Sequence, residues 1–190
     1  RGKKPMTDEE LDQLKNDVQY LKDRAAILDC ISRHARGHDR HDVDMLTSAY
    51  HSDGVDEHGH AINSGPHYAQ WANAAHAAGS LLHTHNITTH TCEINGNEAH
   101  CESYVLVVLL NNDGVSARMI SGRYIDRLEK RSGEWRIALR RTTVDVLLAG
   151  DASILDAPVF RNQGYTRGMR DASDISYQRP LSLDETPDRW

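Results

Sequence analysis

Phenylalanine occurs once in this 190-residue chain, cysteine three times and proline five times, and aromatic residues together make up only 6%. An odd, small number of thiols argues against a secreted disulfide framework. Cys92 and Cys101 flank an expected hairpin turn and fall opposite each other across it, so they read as reduced, buried thiols, with a bridge as the alternative. No apolar run approaches the roughly eighteen residues that cross a bilayer, and no hydrophobic signal segment opens the sequence. A cytoplasmic protein without a membrane partner is therefore expected, with Met6 as its natural start. Positive charge is also scarce: 22 lysines and arginines stand against 28 acids, giving a net charge of -6. The cations are scattered among those acids, which leaves no basic face for a phosphate backbone, and no nucleic-acid partner is expected.

Histidine is what the chain has in excess, with 12 residues, and three of them crowd into RHARGHDRHDVD at residues 33 to 44 with three aspartates. Histidine trades protons near neutral pH and is the commonest metal ligand, so composition alone leaves both uses open.

The length suits one domain with an appended segment. Thr7-Asp8-Glu9-Glu10 has the form of a capping box and predicts a helix start. Leu11, Leu14, Val18, Leu21, Ala25 and Leu28 then recur at spacings of three and four, a stripe suited to the domain's own core or to another subunit. Gly37 is read as the stop, with His34 on the last turn and Asp39 just beyond. A second helix is expected from about Asp42 to Tyr50, then a turn and a short strand through HSDGVDEHGH, and a third helix after Ser64-Gly65-Pro66 to near Gly79. From His83 the period changes to two, and turn words at Asn-Gly, Asn112-Asp113-Gly114 and Arg131-Ser132-Gly133 divide four long strands. Helices first and strands after predict an α+β fold, a conical, curved antiparallel sheet wrapped around three N-terminal helices. The domain is placed at residues 1–150, and residues 151–190 read as an extended tail packed on it or on a neighbour.

Four stretches in this order resemble the SnoaL-like family of the nuclear-transport-factor-2-like superfamily: RAAILDCISRHARGHDRHDVDMLTSAYHSDGVDEHG, HNITTHTCEINGNEA, GRYIDRLEKRSGEWRIALRRTTVD and DISYQRPL. The resemblance implies a cone with a largely apolar pocket between helices and sheet, assembled as a dimer or trimer. It implies polyketide cyclase, dehydratase, isomerase, dehydrohalogenase or deformylating lyase chemistry without a cofactor. It also places Asp39 and His85 as the family's acid–histidine dyad, with His34 and Arg140 where dehydrohalogenase-like members keep pocket residues. His34 itself and the additional His38, His41 and His83 depart from that pattern.

A carboxylate on one imidazole nitrogen fixes the tautomer and makes the other nitrogen a better base. Read without the family, Asp39 is equally a helix-capping carboxylate and His85 a strand histidine with a satisfied hydrogen bond. Alternation separates Arg140 and Arg141 onto opposite faces, and Arg140 is expected inward, where a guanidinium steadies a departing or charged group. Tyr50, Tyr124, His58, His60 and His83 are candidate substrate contacts, with either tyrosine, Tyr50 above all, also readable as core and His58 and His60 as part of an exposed loop; the remaining histidines and aspartates of the crowded segment are expected to face water. His34 and His38 at i, i+4 and His83-x-His85 would suit a metal, but no H-E-x-x-H or paired C-x-x-C word accompanies them, and no metal or other cofactor is expected. The expected function is a cofactor-independent lyase releasing water or a small aldehyde from a hydroxylated aromatic, lignin-derived or polycyclic molecule. The alternatives are an isomerase or cyclase on a steroid- or polyketide-like substrate and a non-catalytic small-molecule binder.

Overall fold

The computed structural model describes residues 6–184 and 186–190; residues 1–5 of the expected domain lie outside them. Helix α1 (Asp8–Asp39) starts at the capping box, where the Glu10 amide donates to Thr7 Oγ1 at 3.2 Å and the Thr7 amide to Glu10 Oε2 at 2.8 Å. It runs through Gly37 rather than stopping there. The glycine serves a close approach instead, since a Cβ at that position would sit 2.7 Å from the Leu46 amide nitrogen. Leu46 belongs to α2 (Val43–Thr47), capped by the Asp42 carboxylate, which accepts from the Met45 amide at 2.9 Å. This helix is shorter than expected because Tyr50 already opens a strand.

Strands β1 (Tyr50–His58) and β2 (Ala61–Ser64) form a hairpin, α3 (Gly65–Gly79) follows, and β3 (Leu82–Asn95), β4 (Glu98–Leu110), β5 (Ser116–Arg131) and β6 (Glu134–Asp151) complete the strands. The four long strands pair antiparallel as their alternation predicts. The sheet nevertheless has six strands in the order β2-β1-β6-β5-β4-β3 and is mixed, because β1 lies parallel to β6. It is an open, curved sheet with β3 at one edge, and α1 and α3 lie against its concave face.

Ile27, Cys30 and Ile31 of α1, Leu46 of α2, Tyr68 and Ala72 of α3, and Leu128, Trp135 and Ile137 of the sheet form the main core. Below it Asp23 accepts from Trp135 Nε1 at 2.8 Å and Lys130 Nζ at 2.7 Å, joining the middle of α1 to the β5–β6 turn. The stripe Leu11, Leu14, Val18, Leu21 and Leu28 is exposed. The core of the domain takes the other face of α1, and only that helix's C-terminal half.

Cys92 and Cys101 are partners across β3 and β4, with free thiol sulfurs 3.1 Å apart. Among the described residues beyond β6 there are short helical turns, and two contacts reach the end of α1 and the start of α2: Tyr177 donates to Asp42 at 2.9 Å, and Arg40 pairs with Asp174 at 3.1 Å. Among the described residues no helix is long and apolar enough to cross a membrane.

Candidate functional site

Asp39, the last residue of α1, and His85, on the inward face of β3, meet. The His85 Nδ1 lies 2.8 Å from Asp39 Oδ1, and the His85 backbone amide donates to both carboxylate oxygens at 2.9 and 3.1 Å. The backbone contact has a plain cause. β3 is an edge strand, so half of its amides lack a ladder partner, and the carboxylate at the end of α1 supplies one. An ionised carboxylate only accepts, so His85 Nδ1 carries the proton and Nε2 keeps the lone pair. The pair is shielded without being sealed, with 5% of the His85 side chain and 15% of the Asp39 side chain exposed.

Behind the dyad runs a buried polar chain. Arg140 on β6 is paired directly across the sheet with Asp126 on β5 and donates to both of its oxygens at 2.7 Å. Its Nη1 donates to His34 Nδ1 at 2.8 Å, His34 Nε2 donates to the Tyr50 hydroxyl at 3.0 Å, and Tyr50 donates to Asp56 Oδ2 at 2.6 Å. Each direction follows from the next, because Asp56 can only accept and Arg140 can only donate. Burial, then the Arg140 charge, holds His34 well below its ordinary value, and burial followed by the Asp56 charge pushes the Tyr50 phenol up. The Tyr124 ring lies under the Arg140 guanidinium at 3.8 Å.

The expectation for Arg140 facing inward holds, with Arg141 outward on Glu57 at 2.9 Å. The structure corrects what surrounds it. His34 has both ring nitrogens committed, Tyr50 has its hydroxyl committed, and Arg140 is fully buried, so these side chains brace the floor beneath the dyad. His38, expected to face water, is 2% exposed: α1 continues its buried face through Ile27, Ile31, His34 and His38. His58 is half-buried, 3.4 Å from Asp56 and beside Tyr68 and Trp71 of α3, while His60 is exposed in the β1–β2 turn.

Sequence reasoning missed four members of the site. Asp126 shares the inward face of β5 with Tyr124 and Leu128, Asp56 sits on β1, and Tyr68 and His76 share one face of α3 with Ala72 at intervals of four. Regular spacing was the signal available in each case. The Tyr68 hydroxyl lies 3.0 Å from His38 Nε2. His83 Nε2 donates to the His38 carbonyl at 2.9 Å and faces His76 Nδ1 at 3.2 Å. The His38 ring stacks on that of His85, with centroids 4.7 Å apart. Burial, joined by the neighbouring imidazoles, pushes His76 down to about 2 and His83 to about 3, and keeps His38 well below its usual value.

The space between helices and sheet at this level is thus filled by imidazoles and phenols, where an apolar pocket was expected. The hollow that reaches the dyad is an open groove of about 440 Å³ between Ser32 and Arg36 of α1, Arg40 just beyond it, and His85 and Ile87 of β3.

The profile of the SnoaL-like domain matches residues 19–141, nearly two thirds of the sequence. The chain belongs to the SnoaL-like family. Rv3472 of Mycobacterium tuberculosis, a protein of unknown function, is 27% identical over 68% of this chain and 75% of its own, with a TM-score of 0.60. The hexachlorocyclohexane dehydrochlorinase LinA-type3 of Novosphingobium barchaimii is 22% identical over 70% of this chain and 94% of its own, with a TM-score of 0.66. A candidate scytalone dehydratase of Novosphingobium aromaticivorans is 16% identical over 70% and 90%, with a TM-score of 0.62. These likenesses establish the nuclear-transport-factor-2-like fold. No curated protein matches the sequence.

Proposed function

We propose that this SnoaL-like protein is a cofactor-independent small-molecule lyase in which His85 Nε2 is the general base and Asp39 orients it. The observation that carries the reading is the 2.8 Å contact between His85 Nδ1 and Asp39 Oδ1, which leaves the opposite nitrogen as the proton acceptor. Membership of the SnoaL-like family supports an enzyme. Two structural relatives bear the names dehydrochlorinase and dehydratase, both eliminations, which supports a lyase.

The substrate class that fits is a hydroxylated molecule, aromatic or polycyclic, entering along the groove past Arg36 and Arg40. In an elimination His85 takes a carbon-bound proton, the electron pair forms the new double bond, and hydroxide leaves and is protonated to water. In a retro-aldol cleavage the base takes the hydroxyl proton of a hydroxymethyl group. The carbon–carbon bond then breaks, formaldehyde departs, and the remaining carbanion recovers a proton. His34 and Arg140 act as positioning residues below the dyad, holding α1 against β6. Isomerisation would use the same base and return a product of unchanged mass.

Screening hydroxylated aromatics and steroids by mass spectrometry for loss of water or formaldehyde tests the reading. The expected result is turnover by the native protein and a loss of about a hundredfold to ten-thousandfold in His85→Ala. Equal turnover by His85→Ala on a substrate the native protein consumes would overturn the assignment.

A further inference from the structure

The imidazoles around His85 carry more than a proton-transfer dyad requires. His38 from the end of α1, His76 from α3 and His85 from β3 each place one ring nitrogen within 4.8 Å of the others. We propose that these three histidines form a binding site for a divalent transition-metal ion of the zinc class.

The orientation of His85 is the first support. Asp39 accepts from its Nδ1, and a carboxylate behind one imidazole nitrogen is the outer-shell arrangement that presents the other nitrogen to a metal. His38 supplies the second, independent support. It is 2% exposed, its Nε2 is held by the Tyr68 hydroxyl at 3.0 Å, and its Nδ1 is buried with no partner among the described residues. A buried, unpaired ring nitrogen is destabilising, and a ligated ion removes that cost.

The donor set selects the ion. Three neutral imidazoles suit zinc, cobalt, nickel or copper, whereas magnesium and calcium require oxygen ligands. Ligands on one tetrahedral zinc lie roughly 3.3 Å apart, given zinc–nitrogen bonds of about 2.0–2.1 Å. The rings therefore close by up to about 1.5 Å on binding, a movement available to His76, a half-buried member on α3. A neighbouring group of His41, His76 and His83 is less suitable. It also holds unpartnered nitrogens, His41 Nε2 and His83 Nδ1, but Arg170 of the tail places its positive charge near both His41 and His83, which opposes a cation there.

The proposal shares His85 with the proposed function but does not rest on it. An ion seated on Nε2 takes the lone pair that the base needs, so metal loading suppresses turnover and a chelator restores it. The deciding experiment is made without substrate. Protein stripped with chelator is titrated with Zn2+ by calorimetry and with Co2+ by visible absorption. The expected result is one ion per chain at micromolar concentration, a rise in thermal midpoint, and ligand-field bands of nitrogen-bound cobalt. His38→Gln and His76→Gln should each weaken binding roughly tenfold or more, while the exposed His100→Gln leaves it unchanged. No saturable binding to the native protein, or binding that both site variants retain, overturns the proposal. Absence of the ion together with a dead His85→Ala enzyme would remove the metal and keep the base. Tight, site-dependent binding with an active His85→Ala enzyme would do the reverse.

Discussion

Lowering the pH from about 7.5 to about 5.5 in chelator should weaken the fold by at least about 4 kcal/mol through three almost fully buried histidines, with His76 adding in the same direction. His34, His38 and His83 are 0%, 2% and 3% exposed, and burial is the leading cause that holds each below the free value of 6.5. A histidine whose folded value is depressed contributes stability in full above its unfolded value and loses it as the pH falls below. Across this window the unfolded chain takes up a proton at each of the three sites, while the folded protein takes up none. A two-unit passage centred on the free value changes the balance by about 1.4 kcal/mol per imidazole, hence about 4 kcal/mol for three. Carboxylates stay out of the measurement: Asp23 and Asp174 are held below their ordinary value and lose their contribution only below about pH 4. Urea denaturation followed by tryptophan fluorescence at the two pH values measures the difference. A change under about 1 kcal/mol, or a gain at the lower pH, would refute the neutral, buried cluster.

Three substitutions test the supports of the site. Asp126→Asn strands the fully buried Arg140 and should cost about 3–5 kcal/mol in chemical denaturation; a loss under about 1 kcal/mol would show that the pair does not brace β5 and β6. Gly122→Ala drives a Cβ into the Thr143 carbonyl oxygen at the β5–β6 irregularity, and the thermal midpoint should drop by several degrees, whereas an unchanged midpoint would mean the strands are not held at that distance. Thr7→Ala removes the capping box at a local cost of about 0.5–2 kcal/mol, and since the first turns of α1 are exposed it should lower helicity by circular dichroism without moving the core's unfolding midpoint. A shifted midpoint would show that the free end of α1 is coupled to the core.

Periodicity made the elements legible, because a helix and a half-buried strand each leave one apolar face in the sequence. The capping box, α3 and all four long strands could be read that way. Two features could not. The parallel pairing of β1 with β6 joins the first strand to the last, and a local pattern carries no information about which distant strand completes a sheet edge. Gly37 was misread because a glycine needed for the approach of α2 leaves the same letter as one that ends a helix. In the site, the meeting of Asp39 and His85 was legible only through the family resemblance, since 46 residues separate them. The buried histidines were harder still. His34 and His38 continue the core face of α1 at its spacing, but in the sequence His34 reads as a pocket residue and His38 as wet, because their buried partners Arg140, Tyr50 and Tyr68 are distant in sequence.

The central claim is that Asp39 and His85 act as one unit, and a double-mutant cycle on turnover tests it most directly. Asp39→Asn, His85→Ala and the pair of changes together are compared on a substrate found by screening, with folding checked by circular dichroism. The account predicts that each single change lowers kcat by about a hundredfold or more and that the double variant is no worse than His85→Ala. Independent, multiplying losses, or a kcat for Asp39→Asn within about twofold of the native protein, would contradict it.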